Sequence, residues 1–201
     1  MKEIRAVNTE FEVKEVGEDD NTVINGYAAI FDSEAPETSG FIEKIAPGAF
    51  ANAIKKSDPF ALFNHNMEKV LGRKSSGTLQ LREDEKGLYY EVDPPDTTYA
   101  NDLIESLKRG DINESSFGFI VAEEKWDDSG DTPVRTIVEV EELIDVSPVT
   151  RAWYPQTDSG LKSKKEVLKE YREKKKENVN REKEKLENYK LKLKTRRGYN
   201  G

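Results

Sequence analysis

Gly110-Asp-Ile-Asn-Glu-Ser-Ser-Phe-Gly-Phe119 lies where a helix stops and a long strand begins, and its reading decides the fold. Just upstream, Ala100, Leu103, Ile104 and Leu107 recur at helical spacing. They predict a helix from a cap at Asp96 or Thr97 to about Arg109. Lys108 and Arg109 fall in its last turn, and Gly110 can take the left-handed exit conformation. Downstream, two long strands are predicted over 112–126 and 134–146, joined by Asp127-Asp-Ser-Gly-Asp131. In the first strand Phe117, Phe119 and Val121 share one face, and Ser115 falls with them. Ser116, Gly118 and Ile120 point the other way. In the second, Val138, Val140, Ile144 and Val146 form the apolar set, and Asp145 lies opposite beside Leu143. If both strands join one sheet, Ser116 and Asp145 emerge on the same side.

Further out, residues 1–16 and 22–31 alternate apolar and polar side chains around the turn Gly17-Glu-Asp-Asp-Asn21, which predicts an opening hairpin. A Ser/Pro/Glu-rich loop over 32–40 follows, then Pro47-Gly48 before a short helix over 49–56. Residues 60–64 read as a strand ending at His65. Strands over 70–73, 77–82 and 87–92 come next, the last two joined by Glu83-Asp-Glu-Lys-Gly87. About seven strands and two helices give an α+β body dominated by an antiparallel sheet or small barrel.

The overall net charge of −8 hides two populations. Residues 161–201 hold 16 Lys and Arg against 7 Asp and Glu, a balance of +9. Residues 1–160 keep 16 basic against 33 acidic residues, a balance of −17. An acidic body argues against direct nucleic-acid binding, which needs concentrated Lys and Arg. The basic segment reads as a conditional helix or a disordered tail that suits an acidic partner. The chain has no cysteine and one histidine, so neither a metal centre nor another cofactor is expected. It has no apolar run of membrane length and no signal-peptide core near Met1, which predicts a soluble cytoplasmic protein.

Serine chemistry needs a base beside the hydroxyl, and His65 is the single imidazole available. Ser116, His65 and Asp145 together would supply a nucleophile, a base and a carboxylate to orient the base. A serine–lysine pair is the other option, but Lys108 and Lys125 look exposed by pattern.

Several segments follow one another along the chain: Gly26-Tyr-Ala-Ala-Ile-Phe31, Glu43-Lys-Ile-Ala-Pro-Gly-Ala-Phe50, Phe63-Asn-His-Asn66 and Leu71-Gly-Arg73. Lys108-Arg-Gly-Asp-Ile112, Ser116-Phe-Gly-Phe119 and Leu143-Ile-Asp-Val-Ser-Pro-Val-Thr150 complete the set. Taken in this order, they resemble the prohead (capsid maturation) proteases of HK97-like tailed phages. That family is similar to the herpesvirus assembly proteases, serine endopeptidases built on a β-barrel ringed by helices. The resemblance spans about residues 4–155 and implies such a fold for the body over 1–160, from which composition sets apart the basic appendage over 161–201. It implies catalytic roles for Ser116 as nucleophile, His65 as general base and Asp145 as third member. It also implies a substrate in the major capsid protein or its scaffolding segment, self-cleavage, dimerisation, and action in the host cytoplasm inside an assembling procapsid. A catalytically silent assembly factor, binding scaffold or capsid through the basic tail, is the alternative.

Overall fold

A computed structural model describes residues 1–16, 21–33, 40–151 and 162–197, in two compact units, Met1–Lys162 and Ser163–Gly201. The turn expected at 17–21 and most of the loop expected at 32–40 lie outside the described residues.

The first unit holds β1 (Glu3–Asn8), β2 (Glu12–Val16), β3 (Asn21–Ile30), β4 (Ile42–Ile45), α1 (Ala51–Lys56), β5 (Phe60–Phe63), β6 (Asn66–Arg73), β7 (Leu79–Glu83), β8 (Gly87–Val92), α2 (Thr98–Lys108), β9 (Glu114–Asp127) and β10 (Val134–Val149). One sheet runs β1-β9-β10-β5-β6, with β4 also on β10; the other runs β2-β3-β8-β7. Pairing is antiparallel except that β4 and β5 run parallel to β10. The architecture is mixed α+β, and the hydrogen-bonded paths among the described residues form two sheets rather than one closed ring.

The strand count exceeds the expected seven because distant pairing splits or creates short strands. Residues 1–16 split at Thr9, whose N–H donates to Asn113 O at 3.0 Å, so β1 joins β9 while β2 hairpins with β3. The four residues of β4 are too few to show a period, and their pairing is with a strand about ninety residues away. β6 begins at Asn66, directly after His65, rather than at Val70.

Both sheets and both helices close over one core, in which Ile24, Leu88, Tyr90, Leu103, Phe117 and Val146 are buried. Each such side chain contributes about 1.5–3 kcal/mol through removal from water. Ala100, Leu103, Ile104 and Leu107 of α2 are the buried face foreseen from their spacing, and Gly110 has φ of 77° in the exit turn. Thr97 is the N-cap residue of α2 but makes no side-chain capping bond.

The second unit is α3 (Lys164–Arg197), a helix where the composition allowed helix or disorder. Its start is a reciprocal capping box. The Glu166 carboxylate accepts the Ser163 N–H at 2.7 Å, and the Glu166 N–H donates to Ser163 Oγ at 3.3 Å.

Candidate active site

Three strands and one turn bring the polar residues together. Antiparallel pairing of β9 with β10 sets Ser147 opposite Ser116 and Asp145 opposite Gly118. The register slips by one residue between Leu143 and Asp145, leaving Ile144 extra. That bulge corrects the parity expected for β10. Leu143 faces the core with Phe119, not outward with Asp145. The buried apolar residues include Ile137, Val140, Leu143, Val146 and Val149, while Val138 and Ile144 are only partly covered. Further irregularities between Ile137 and Glu142 produce this three-residue rhythm, which a strict alternation cannot foresee. Ser116 and Asp145 nevertheless share a side.

His65 arrives from the other flank. β5 runs parallel to β10, with Phe60 level with Asp145, so its end climbs past Ser147 towards Thr150. Phe63 and Asn66 then pair across a two-residue turn formed by Asn64 and His65. Both residues have φ of 56°, the left-handed region that a tight primed hairpin turn requires. For a residue other than glycine this conformation costs about 1–2 kcal/mol, so something must hold it. Asn64 does: its N–H donates to Pro148 O at 3.0 Å, its Nδ2 donates to Thr150 Oγ1 at 3.1 Å, and its Oδ1 accepts the Thr150 N–H at 2.8 Å.

The result is a chain of contacts. His65 Nε2 lies 2.6 Å from Ser116 Oγ, and His65 Nδ1 meets Asp145 Oδ1. The carboxylate only accepts, so Nδ1 carries the proton and Nε2 is free to accept from the serine. Ser147 Oγ donates to Asp145 Oδ1 at 2.9 Å, and Lys2 Nζ donates to Asp145 Oδ2 at 3.2 Å. Burial pushes the Asp145 carboxyl up, but the His65 bond, the Lys2 charge and the Ser147 hydroxyl outweigh it and hold the group below its ordinary range.

Ser116 Oγ also lies 2.8 Å from the carbonyl of Arg5 on β1. A hydroxyl has one proton to give, so Nε2 and Arg5 O compete for it. When the imidazole is neutral the hydroxyl donates its hydrogen bond to Nε2. When it is protonated, Nε2–H donates to Oγ and the hydroxyl turns to Arg5. Ser115, by contrast, is fully buried, and its hydroxyl meets Tyr90 Oη at 3.3 Å and Ser147 O at 3.4 Å. Both serines are buried, so the partner rather than exposure separates them. Lys108 and Lys125 are exposed, as their pattern indicated.

Ser147, Lys2, Asn64 and Thr150 were not foreseen as members of the site. Ser147 was legible: two residues after Asp145 in a strand, it shares that residue's face. Lys2 was not, because its place depends on β1 pairing with a strand more than a hundred residues away.

A model of the caudovirus prohead serine protease family matches residues 9–174. The prohead protease of Enterobacteria phage HK97 is 35% identical over 121 residues, which cover 58% of this chain and 50% of that protein. The chain thus spans about half the length of the curated relative it matches. The solved bacteriophage T4 capsid assembly protease aligns with a TM-score of 0.49 at 10% identity, over 74% of this chain and 97% of that one. The family match takes in His65, Ser116 and Asp145 together with the strands that carry them, and on its extent the chain belongs to the caudovirus prohead serine protease family.

Proposed function

We propose that this chain is a serine endopeptidase of phage procapsid maturation, with Ser116 as nucleophile, His65 as general base and Asp145 as the residue that orients the base. The observation that carries the reading is the 2.6 Å contact between Ser116 Oγ and His65 Nε2, with Asp145 on the opposite ring nitrogen. Ser116 Oγ attacks the peptide carbonyl carbon as its proton passes to Nε2. The tetrahedral adduct collapses, the carbon–nitrogen bond breaks, and Nε2 returns the proton to the leaving amine. Water, deprotonated by the same imidazole, then hydrolyses the acyl-enzyme. Asp145 holds Nδ1–H and stabilises the imidazolium that forms between these steps.

The substrate in this reading is the major capsid protein or its scaffolding segment, with self-cleavage as a second target. The setting is the assembling procapsid in the host cytoplasm, and the working form is a self-associated dimer. The name of the HK97 relative supports the procapsid setting. Residues 1–160 form the protease domain. The basic segment over 161–201 is the part suited to an acidic partner, because its charge is opposite in sign to that of the body. No helix among the described residues is long and apolar enough to cross a membrane.

The test is co-expression with the capsid protein and intact-mass measurement of both products. Ser116→Ala lowers cleavage by about 10⁴-fold or more, and His65→Ala does the same because the two act as one unit. Ser115→Ala leaves processing in place. Equal processing by the Ser115 and Ser116 variants overturns the nucleophile assignment, and full assembly with no cleavage by the unaltered chain favours the silent assembly factor.

A further inference from the structure

The two oxygens of Asp145 have different partners. Oδ1 takes the bonds from His65 and Ser147, whereas Oδ2 turns to Lys2 at 3.2 Å. The carboxylate is 1% exposed, so water does little to spread its charge. Room for the lysine is made by Gly118. A Cβ at that position would lie 2.5 Å from Asp145 Oδ2 and 2.7 Å from Lys2 Cε. In the folded chain this glycine lets two side chains meet. Lys2 reaches this spot because Ile4 pairs with Gly118, and the residue two earlier points to the same face. Its carbonyl accepts the Lys162 N–H at 2.9 Å, which fixes the main chain as well.

We propose that Lys2 is a positioning residue of the active site, whose ammonium pins the outer oxygen of Asp145, keeps the carboxylate in line with the His65 ring and offsets part of the negative charge that the ring feels. An unopposed buried carboxylate holds a proton on its imidazole partner more tightly, and a protonated imidazole cannot accept the serine proton. With Lys2 in place the carboxylate and ammonium carry no net charge until that proton arrives. Asp145 is faced by His65 from the turn between β5 and β6, by Lys2 from the segment before β1, and by the Ser147 hydroxyl of its own strand. His65 is faced by Asp145 and Ser147 of β10 and by Ser116 of β9.

The inference rests on the reading of His65 as a base, but its first readout does not. His65 is the single histidine, so its imidazole resonances need no assignment. In the full chain carrying Ser116→Ala, which prevents self-digestion, the midpoint of the imidazole titration rises by about half a unit to one unit on Lys2→Met. It rises further on Lys2→Glu and stays in place on Lys2→Arg. In chains that keep Ser116, the acid limb of the cleavage rate moves in the same order. The side chain of Lys2 is 28% exposed, so these variants fold, and the amide spectrum verifies it. One common midpoint for the Met, Glu and Arg variants overturns the inference. The ordered shift in chains that never cleave, the Lys2 and Ser116 form included, supports the charge coupling and overturns only the proposed activity.

Discussion

Arg135 and His65 are each held by carboxylate on the same group of strands, three around the first and one beside the second, yet one cluster is closed and the other is left open. Arg135 is fully buried; its guanidinium grips Glu3 with two bonds of 2.8 and 2.9 Å, and reaches Glu43 at 2.7 Å and Glu124 at 2.8 Å. Arg5 adds bonds to Glu3 and Glu43. The bonds are charge-assisted and tie together β1, β4, β9 and β10. Around His65 the accounting stays incomplete: one serine proton faces two acceptors, and the imidazole side chain is 18% exposed. A saturated network has nothing left to exchange and fixes geometry. A network short of one proton has somewhere to send it.

The hardest test of that contrast is Asp145→Asn. An amide can offer its NH₂ to Nδ1 and so favour the wrong tautomer, which lowers the cleavage rate by about 10²–10⁴-fold. The same substitution changes acid stability in a fixed direction. The folded-state pKa of Asp145 is depressed, so its contribution is full above the ordinary carboxylate range and is lost as pH falls through the folded value. Urea melts at neutral pH and at about pH 3 therefore show a smaller acid loss in the Asn variant than in the unaltered chain. An unchanged rate would make Asp145 a member of a closed cluster like that of Arg135, and the contrast would fail.

Arg135→Met probes the closed side. It leaves Glu3, Glu43 and Glu124 facing one another with Arg5 as the remaining guanidinium among them, and costs about 3–5 kcal/mol. Burial pushes the Glu124 carboxyl up, and Arg135, with smaller help from the Trp126 N–H and the Lys162 charge, more than reverses that push in the unaltered chain. In the variant the stability deficit shrinks as the pH is lowered, because protonation removes the repulsion. The cleavage rate per folded molecule stays the same, measured below the melting transition. A rate that falls along with stability would mean that the two clusters act as one.

The two clusters were unequally legible in the sequence. Residue types and strand alternation single out His65 and Ser116 as candidates, since the chain has one imidazole and Ser116 alternates away from Ser115, and the two side chains are in contact. The helix α2 was readable because its apolar spacing is local. Arg135, Glu3, Glu43 and Glu124 were not readable, because charged residues in strands are ordinarily solvent-facing and only long-range pairing gathers these together. Bulges in β10 defeated the parity argument for Leu143 for the same reason: an extra residue is paid out by the partner strand's register, not by anything in β10's own composition.

The smallest effect concerns how the open cluster is aimed. Thr150→Val removes the acceptor for Asn64 Nδ2 but keeps the Thr150 N–H on Asn64 Oδ1. Both residues are exposed, so water replaces the lost bond and stability falls by less than about 1 kcal/mol. The rate falls by about two- to fivefold, because the left-handed turn that carries His65 loses one of its fasteners. Asn64→Gly separates aim from strain. Glycine adopts a φ of 56° without steric cost, which offsets the lost bonds in a thermal melt, yet it abolishes the side-chain clamp altogether. Its rate therefore drops below that of Thr150→Val while its melting temperature stays close to that of the unaltered chain. If the rates of the two variants instead follow their melting temperatures, the clamp serves the fold and the aim of the imidazole is set by Asp145 and Ser147 alone.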